Sequence, residues 1–240
     1  VSPNAIYRRM SYILHYAPDN ASLAVRLALE QRGLPYKAVL VDRKQAEQSG
    51  PAYRQLNPNG LIPVLETPQG PLFETGAILL WLADTHGQLG PAPDAPERGD
   101  FLKWLFFVAN TLHPAERMLF YPEKFIAPDH ATALRAGLTQ HLHQSFTTLD
   151  AAAALRPDWL GGTAPTVLDF YVAALLRWPA LYPADHDRSW FRLGVYPALQ
   201  RVCAKIESLP ATIALQQAEG LGDTPFTAPR HPNPPIGSAT

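Results

Sequence analysis

The chain has 240 residues, apolar residues make up 47% of it and charged residues 17%, which is enough material for one large core or two small ones. Twenty Lys and Arg against 21 Asp and Glu leave a formal net charge of −1, so no global charge argues for nucleic acid or an anionic membrane as partner. A single cysteine, Cys203, excludes an internal disulfide framework and a cysteine-based zinc cluster. No apolar run approaches the roughly 18 residues of a membrane span. No signal-like segment opens the sequence, and with the lone cysteine this points to a reducing cytoplasm.

Val1 to Arg9 looks detached, and residues 1–10 are read as an extension. Ser11 to Tyr16 is short and β-prone. After the polar break Ala17-Pro18-Asp19-Asn20, Leu23 and Leu27 mark a helix that Ser22 can cap and Gly33 stops. Tyr36 to Val41 is a second strand, so the order predicts a parallel βαβ pair. Pro51 to Asn57 is ambiguous. Ile62–Glu66 and Pro71–Phe73 read as two brief strands around the turn Pro68-Gln69-Gly70. A helix from Thr75 shows Ile78, Leu79, Leu82 and Ala83 on one face.

Gln88 to Pro96 holds three prolines and a glycine and reads as a linker. Beyond it the pattern is helical. Phe101, Leu105, Val108 and Leu112 recur at helical spacing, and Ala131 to Leu155 is a long Ala- and Leu-rich stretch. Thr166 and Asp169 form a capping-box pattern ahead of an apolar run. Leu199, Val202 and Ile206 mark another amphipathic helix, which makes Cys203 a buried structural thiol. Five prolines between Pro225 and Pro235 make the tail either unfixed or extended along the surface. The predicted fold is α/β plus all-α: a βαβ-ββα domain over 11–86, a linker over 87–97, a helical bundle over 98–218 and a Pro-rich tail over 219–240.

Four segments in register carry a family resemblance: Y-A-P-D-N-A-S-L-A-V-R (16–26), N-P-N-G-L-I-P-V-L (57–65), L-F-E-T-G-A-I-L-L-W-L-A-D (72–84) and W-L-G-G-T-A-P-T-V-L-D-F (159–170). Together they resemble the glutathione transferase superfamily, nearest its bacterial beta-type branch, over roughly residues 11–215. The resemblance implies a thioredoxin-like first domain and glutathione as co-substrate, with no metal. It also implies a cytoplasmic homodimer engaged in detoxification, without nucleic-acid or membrane partners.

The implied glutathione contacts are Tyr16, Asn59, Leu61, Ile62, Pro63, Glu74 and Thr75. A cis Ile62-Pro63 bond would leave the Ile62 backbone to pair with the ligand's cysteinyl amide, as an added strand does. Glu74 suits the ligand's ammonium. Thr75, in place of the family's usual serine, and the helix N-terminus behind it suit a carboxylate. Asn59 stands where a lysine is common, which removes one ion pair. The beta branch places a cysteine where this chain has Ala21, so a mixed disulfide cannot form there and thiol–disulfide chemistry is disfavoured.

Thiol activation is therefore assigned to Asn20 and Ser22, helped by the helix N-terminus, with a pure capping role equally open for Ser22. Asp19 is expected to be exposed. His113 matches a beta-branch histidine that faces the sulfur. Pro114 follows it in place of a lysine and is expected to kink the helix; a histidine satisfied by linker or solvent is the other reading. Phe106, Phe107, Tyr121 and Trp178 are candidates to line a pocket for a second, hydrophobic substrate. The leading functional expectation is addition of the glutathione thiolate to a small hydrophobic electrophile. The alternative is a non-catalytic glutathione-binding or protein-interaction module of the same fold.

Overall fold

The computed structural model describes residues 12–239, so the reading of 1–10 as an extension lies outside the described residues. The first half runs β1 (Tyr12–Tyr16), α1 (Ser22–Arg32), β2 (Tyr36–Leu40), α2 (Pro51–Leu56), β3 (Val64–Thr67), β4 (Gly70–Phe73) and α3 (Thr75–His86). The four strands form one sheet in the order β2-β1-β3-β4. β1 and β2 are parallel, whereas β3 pairs antiparallel with both β1 and β4. This is a thioredoxin-like sheet. α1 ends as the sequence predicts: Gly33 takes the left-handed conformation (φ 59°), and its N–H bonds the Glu30 carbonyl. The ambiguous stretch at 51–57 is the short helix α2, with Pro51 in its first turn.

The second half is helical: α4 (Arg98–Phe107), α5 (His113–Phe120), α6 (Ala131–Ala154), α7 (Val167–Arg177), α8 (Pro197–Glu207) and α9 (Pro210–Glu219). Every residue of α7 is buried. It packs against α1, α3 and α8, which makes it the axis on which the two halves meet. Its start is fixed by the capping box the sequence shows. The Thr166 hydroxyl oxygen accepts from the Asp169 N–H, and Asp169 accepts the Thr166 N–H at 2.8 Å and the Gly161 N–H at 2.7 Å. The connecting segment docks here too, where the Val167 N–H donates to the Leu89 carbonyl at 2.8 Å. No helix among the described residues is long and apolar enough to cross a membrane.

Pro114 lies in one helical run: a π-type turn over Val108–Leu112 passes directly into α5 with right-handed helical angles at Leu112 and His113, and the altered hydrogen-bond pattern of that turn adjoins the proline that lacks an N–H. Of the two readings of the tail, the unfixed one is set aside: the tail lies against the protein, with Phe226 fully buried and the Phe226 and Thr227 N–H groups donating to Glu207 at 2.9 Å. Arg177 donates to the Pro225 and Arg230 carbonyls, and Arg43 donates to the Ala239 carbonyl. The tail thus returns from the helical half to the loop after β2.

Candidate active site

A cavity of about 530 Å³ opens between the two halves. The turn between β1 and α1 supplies one edge. Asp19 has φ 51° and is buried at 5% exposure, not exposed as expected. Its carboxylate accepts from Arg177 Nε (2.8 Å) and Nη2 (3.0 Å), Trp178 Nε1 (3.0 Å) and the Tyr182 hydroxyl (2.7 Å). Its own N–H donates to Glu219 at 2.9 Å. The turn is therefore fixed by the helical half, and Asn20 and Ala21 line the cavity from it. The Ala21 N–H donates to Asn20 Oδ1 at 2.8 Å, so the Asn20 NH₂ group is left without a partner among the described residues.

Ser22 does not belong to this edge. It is fully buried, does not line the cavity, and donates its hydroxyl to the Ala17 carbonyl at 3.1 Å. Nor does it cap α1; Ala21 holds that position without a side-chain cap. Tyr16 is likewise corrected: it is buried away from the cavity, with the Arg26 guanidinium 4.4 Å over its ring.

The second edge is the loop before β3. Asn57, 2% exposed, donates from Nδ2 to the Leu61 carbonyl (2.8 Å) and accepts the Asn59 N–H (3.0 Å). The Tyr53 hydroxyl donates to the same Leu61 carbonyl at 2.9 Å. Gly60 has φ 62°, and a Cβ there would lie 2.7 Å from the Gln48 carbonyl oxygen. The Ile62-Pro63 bond is cis. The Ile62 N–H and C=O have no partner among the described residues, and Asn59, Leu61, Ile62 and Pro63 all line the cavity.

The third edge is the start of α3. Glu74 precedes it at φ 70° and ψ 113°, a conformation costly for a residue with a Cβ, of order 1–3 kcal/mol. No side chain caps this twelve-residue helix, so its first N–H groups remain free beside Glu74 and Thr75 in the cavity wall.

The fourth edge comes from the helical half. His113 Nδ1 lies 2.7 Å from the Tyr171 hydroxyl, and its ring centroid lies 5.7 Å from that of Trp178. Burial, with Arg117 nearby, lowers the His113 pKa to about 4, so the ring is neutral at neutral pH. Burial pushes the Tyr171 phenol up, so it keeps its proton. The phenol and Nδ1 share one hydrogen bond, and Nε2 has no partner among the described residues. Trp178 and Tyr121 line the cavity as well. Phe106 does not: it is 53% exposed, and its place in the hydrophobic pocket is withdrawn. Phe107 packs on the core instead.

Sequence reasoning missed Glu116, Arg117, Lys124, Phe125 and Tyr171, all of which line the cavity. The spacing His113, Glu116, Arg117 on one helical turn was the available signal. Glu116 is fully buried, neither of its oxygens has a partner among the described residues, and burial raises its pKa well above the ordinary value. Cys203 is fully buried outside the cavity, and burial pushes its thiol pKa up.

The arrangement offers neutral and backbone N–H donors on several sides of one cavity, a free peptide edge at Ile62, and a carboxylate at Glu74. Comparisons with known proteins bear on the family and the fold. The family described as glutathione S-transferase, N-terminal domain, matches residues 21–85. Glutathione S-transferase GST-4.5 of Xanthomonas campestris pv. campestris is 32% identical over 175 residues, covering 69% of this chain and 81% of that protein. The disulfide-bond oxidoreductase YfcG of Escherichia coli K12 is 30% identical over 220 residues, covering 88% and 96%. Among solved structures, a sphingomonad glutathione S-transferase complexed with glutathione superposes with a TM-score of 0.73 at 32% identity, covering 88% of this chain and 100% of that one. Sequence and fold agree along most of the chain: it belongs to the glutathione S-transferase family.

Proposed function

We propose that this protein is a glutathione transferase that binds glutathione across the first three edges of the cavity and adds its thiolate to a small electrophile. The tripeptide's cysteinyl amide pairs with the Ile62 backbone. Its ammonium meets Glu74, and the γ-glutamyl carboxylate meets the free N–H groups and the Thr75 hydroxyl at the start of α3. The sulfur then lies between the Asn20 amide and the His113 Nε2–H. Two neutral donors favour thiolate over thiol and lower the thiol pKa, the task a cysteine, serine or tyrosine performs elsewhere in the family. The electrophile takes the remaining space, with its apolar body against Tyr121 and Phe125. In substitution, the C–S bond forms as the bond to the leaving group breaks; in conjugate addition, the displaced pair ends on the α-carbon with a proton from solvent. The protein acts by positioning the two reactants and keeping the thiol ionised.

The observation that carries this reading is the convergence of the unpartnered Asn20 amide, the unpartnered His113 Nε2, the free Ile62 backbone and the uncapped α3 on one cavity. A second reading draws on the YfcG likeness: reduction of a disulfide substrate by two glutathione molecules in turn, with no protein cysteine taking part. Family membership also favours a homodimer, which sedimentation tests.

Calorimetric titration with reduced glutathione, followed by ultraviolet detection of thiolate across pH, tests the main reading. Binding with a thiol pKa below the ~8.5 of an ordinary cysteine is expected. Binding with an unshifted pKa would favour a non-catalytic module, and no binding at millimolar ligand would remove the assignment.

A further inference from the structure

The cavity wall supplied by α5 and the turn after it is cationic as well as aromatic. Arg117 and Lys124 line it beside Tyr121 and Phe125. The Arg117 guanidinium lies 5.5 Å from the Phe125 ring centroid, and the Lys124 ammonium lies 4.3 Å from that of Tyr121. Neither cation has an ion-pair partner among the described residues. The carboxylates in the same lining do not serve them. Asp19 is committed to Arg177, and Glu116 is buried and makes no pair with its neighbour Arg117. Glu74 belongs to the thioredoxin-like half.

This inference rests on the glutathione reading above, in which the ligand's own charges are met elsewhere. Glu74 takes the ammonium, and the start of α3 takes one carboxylate. Arg43, on the loop after β2, also lines the cavity, but its guanidinium is engaged: it donates to the Ala239 carbonyl and, from Nη2, to the Tyr121 hydroxyl at 3.0 Å, and the Gln48 and Asn59 side chains in the same lining are left for the other carboxylate. Arg117 and Lys124 remain, on the side left to the second substrate. A cation resting on an aromatic face is partly stripped of water and offers its remaining donors to a planar anion. An uncharged electrophile would draw nothing from them.

We propose that the second substrate carries a carboxylate, bound by Arg117 and Lys124, with its flat apolar body against Tyr121 and Phe125. The electrophiles that suit this protein are thus organic acids, aromatic or unsaturated, rather than purely apolar compounds.

Two stable glutathione conjugates test this without depending on turnover: S-(4-carboxy-2,6-dinitrophenyl)glutathione and its 4-carboxamide, each titrated calorimetrically into the full chain. The carboxylate conjugate is expected to bind about tenfold tighter, the scale of one charge-assisted hydrogen bond in a partly wet site. The preference is expected to shrink at high salt and to vanish in the Arg117→Gln/Lys124→Gln double variant. Lys124→Gln alone, at an exposed side chain, is expected to remove part of it and stands in should the double variant fail to fold. Equal affinity for the two conjugates, tighter binding of the amide, or a preference that survives both substitutions overturns the proposal. Reduced glutathione is titrated in parallel. If it binds while the conjugates show no preference, only this inference falls; if neither it nor the conjugates bind, the glutathione reading falls as well.

Discussion

His113 is neutral because it is desolvated beside a cation, and in the proposed function Tyr171 donates to its Nδ1 and so leaves the ring hydrogen on Nε2. With its pKa lowered to about 4, it does not titrate between pH 5 and 8, so a thiolate titration of the bound ligand should show one inflection, that of glutathione. His113→Phe removes the Nε2–H and should raise the bound thiol pKa, with kcat/KM lower by about 10–100-fold at neutral pH, the scale of one lost hydrogen bond to a charged group. Asn20→Ala should act in the same direction, whereas Ser22→Ala should leave thiol ionisation unchanged, because its hydroxyl is spent on Ala17. Glu116 makes a different prediction. Unfolded, its carboxyl ionises near the ordinary value of ~4.3; folded, it holds its proton well above that. The unfolded state then binds fewer protons, so this residue lowers stability as pH rises through its folded pKa. Glu116→Gln should therefore raise Tm relative to wild type more at pH 8 than at pH 5, by differential scanning calorimetry. An equal shift at both pH values would mean that Glu116 is ionised in the folded chain.

Elements whose determinants are local were legible in the sequence. The Thr166–Asp169 box spans four residues and announced the start of α7; Gly33 announced the end of α1. The cavity-facing loops were legible only through the four segments in register, since a turn such as 57–60 has many uses. What escaped was set by distance along the chain. Asp19 reads as a polar turn residue, and its partners lie 158 to 200 positions away. Tyr16 and Ser22 have suitable chemistry, but β1 and α1 direct them into the core, a matter of facing that so short a strand and a turn without regular period did not reveal. The loop before β3 yields a prediction at this scale. Gly60→Ala must hold φ 62° and clear the Gln48 carbonyl at 2.7 Å, so the loop has to shift. It should cost stability on the order of 1–3 kcal/mol, the range for strained backbone, and weaken glutathione binding through Ile62. Unchanged affinity by calorimetry would show that the loop does not position the ligand.

Across the whole molecule, the fully buried Asp19–Arg177 pair ties the turn beside the cavity to the last residue of α7, and Arg177 also holds the tail through two carbonyls. Arg177→Leu leaves a buried carboxylate without its cation and should cost about 3–5 kcal/mol in urea unfolding. It should also free the tail, so that brief trypsin treatment cuts after Arg230 faster than in wild type. If cleavage there is unchanged, the tail is held by its other contacts. The same buried arrangement has a chemical consequence. The chain has one thiol, Cys203, and it is closed to solvent and held in its unreactive form. With Ala21 where the beta branch has a cysteine, no thiol lines the cavity, and the side-chain sulfur in its wall is the Met118 thioether. On the proposed function, the thiolate in the cavity is then the co-substrate's alone, and each turnover carries away the alkylated atom as product. The protein has no exposed thiol to lose, so prolonged exposure to alkylating agents should consume the tripeptide while leaving the protein active.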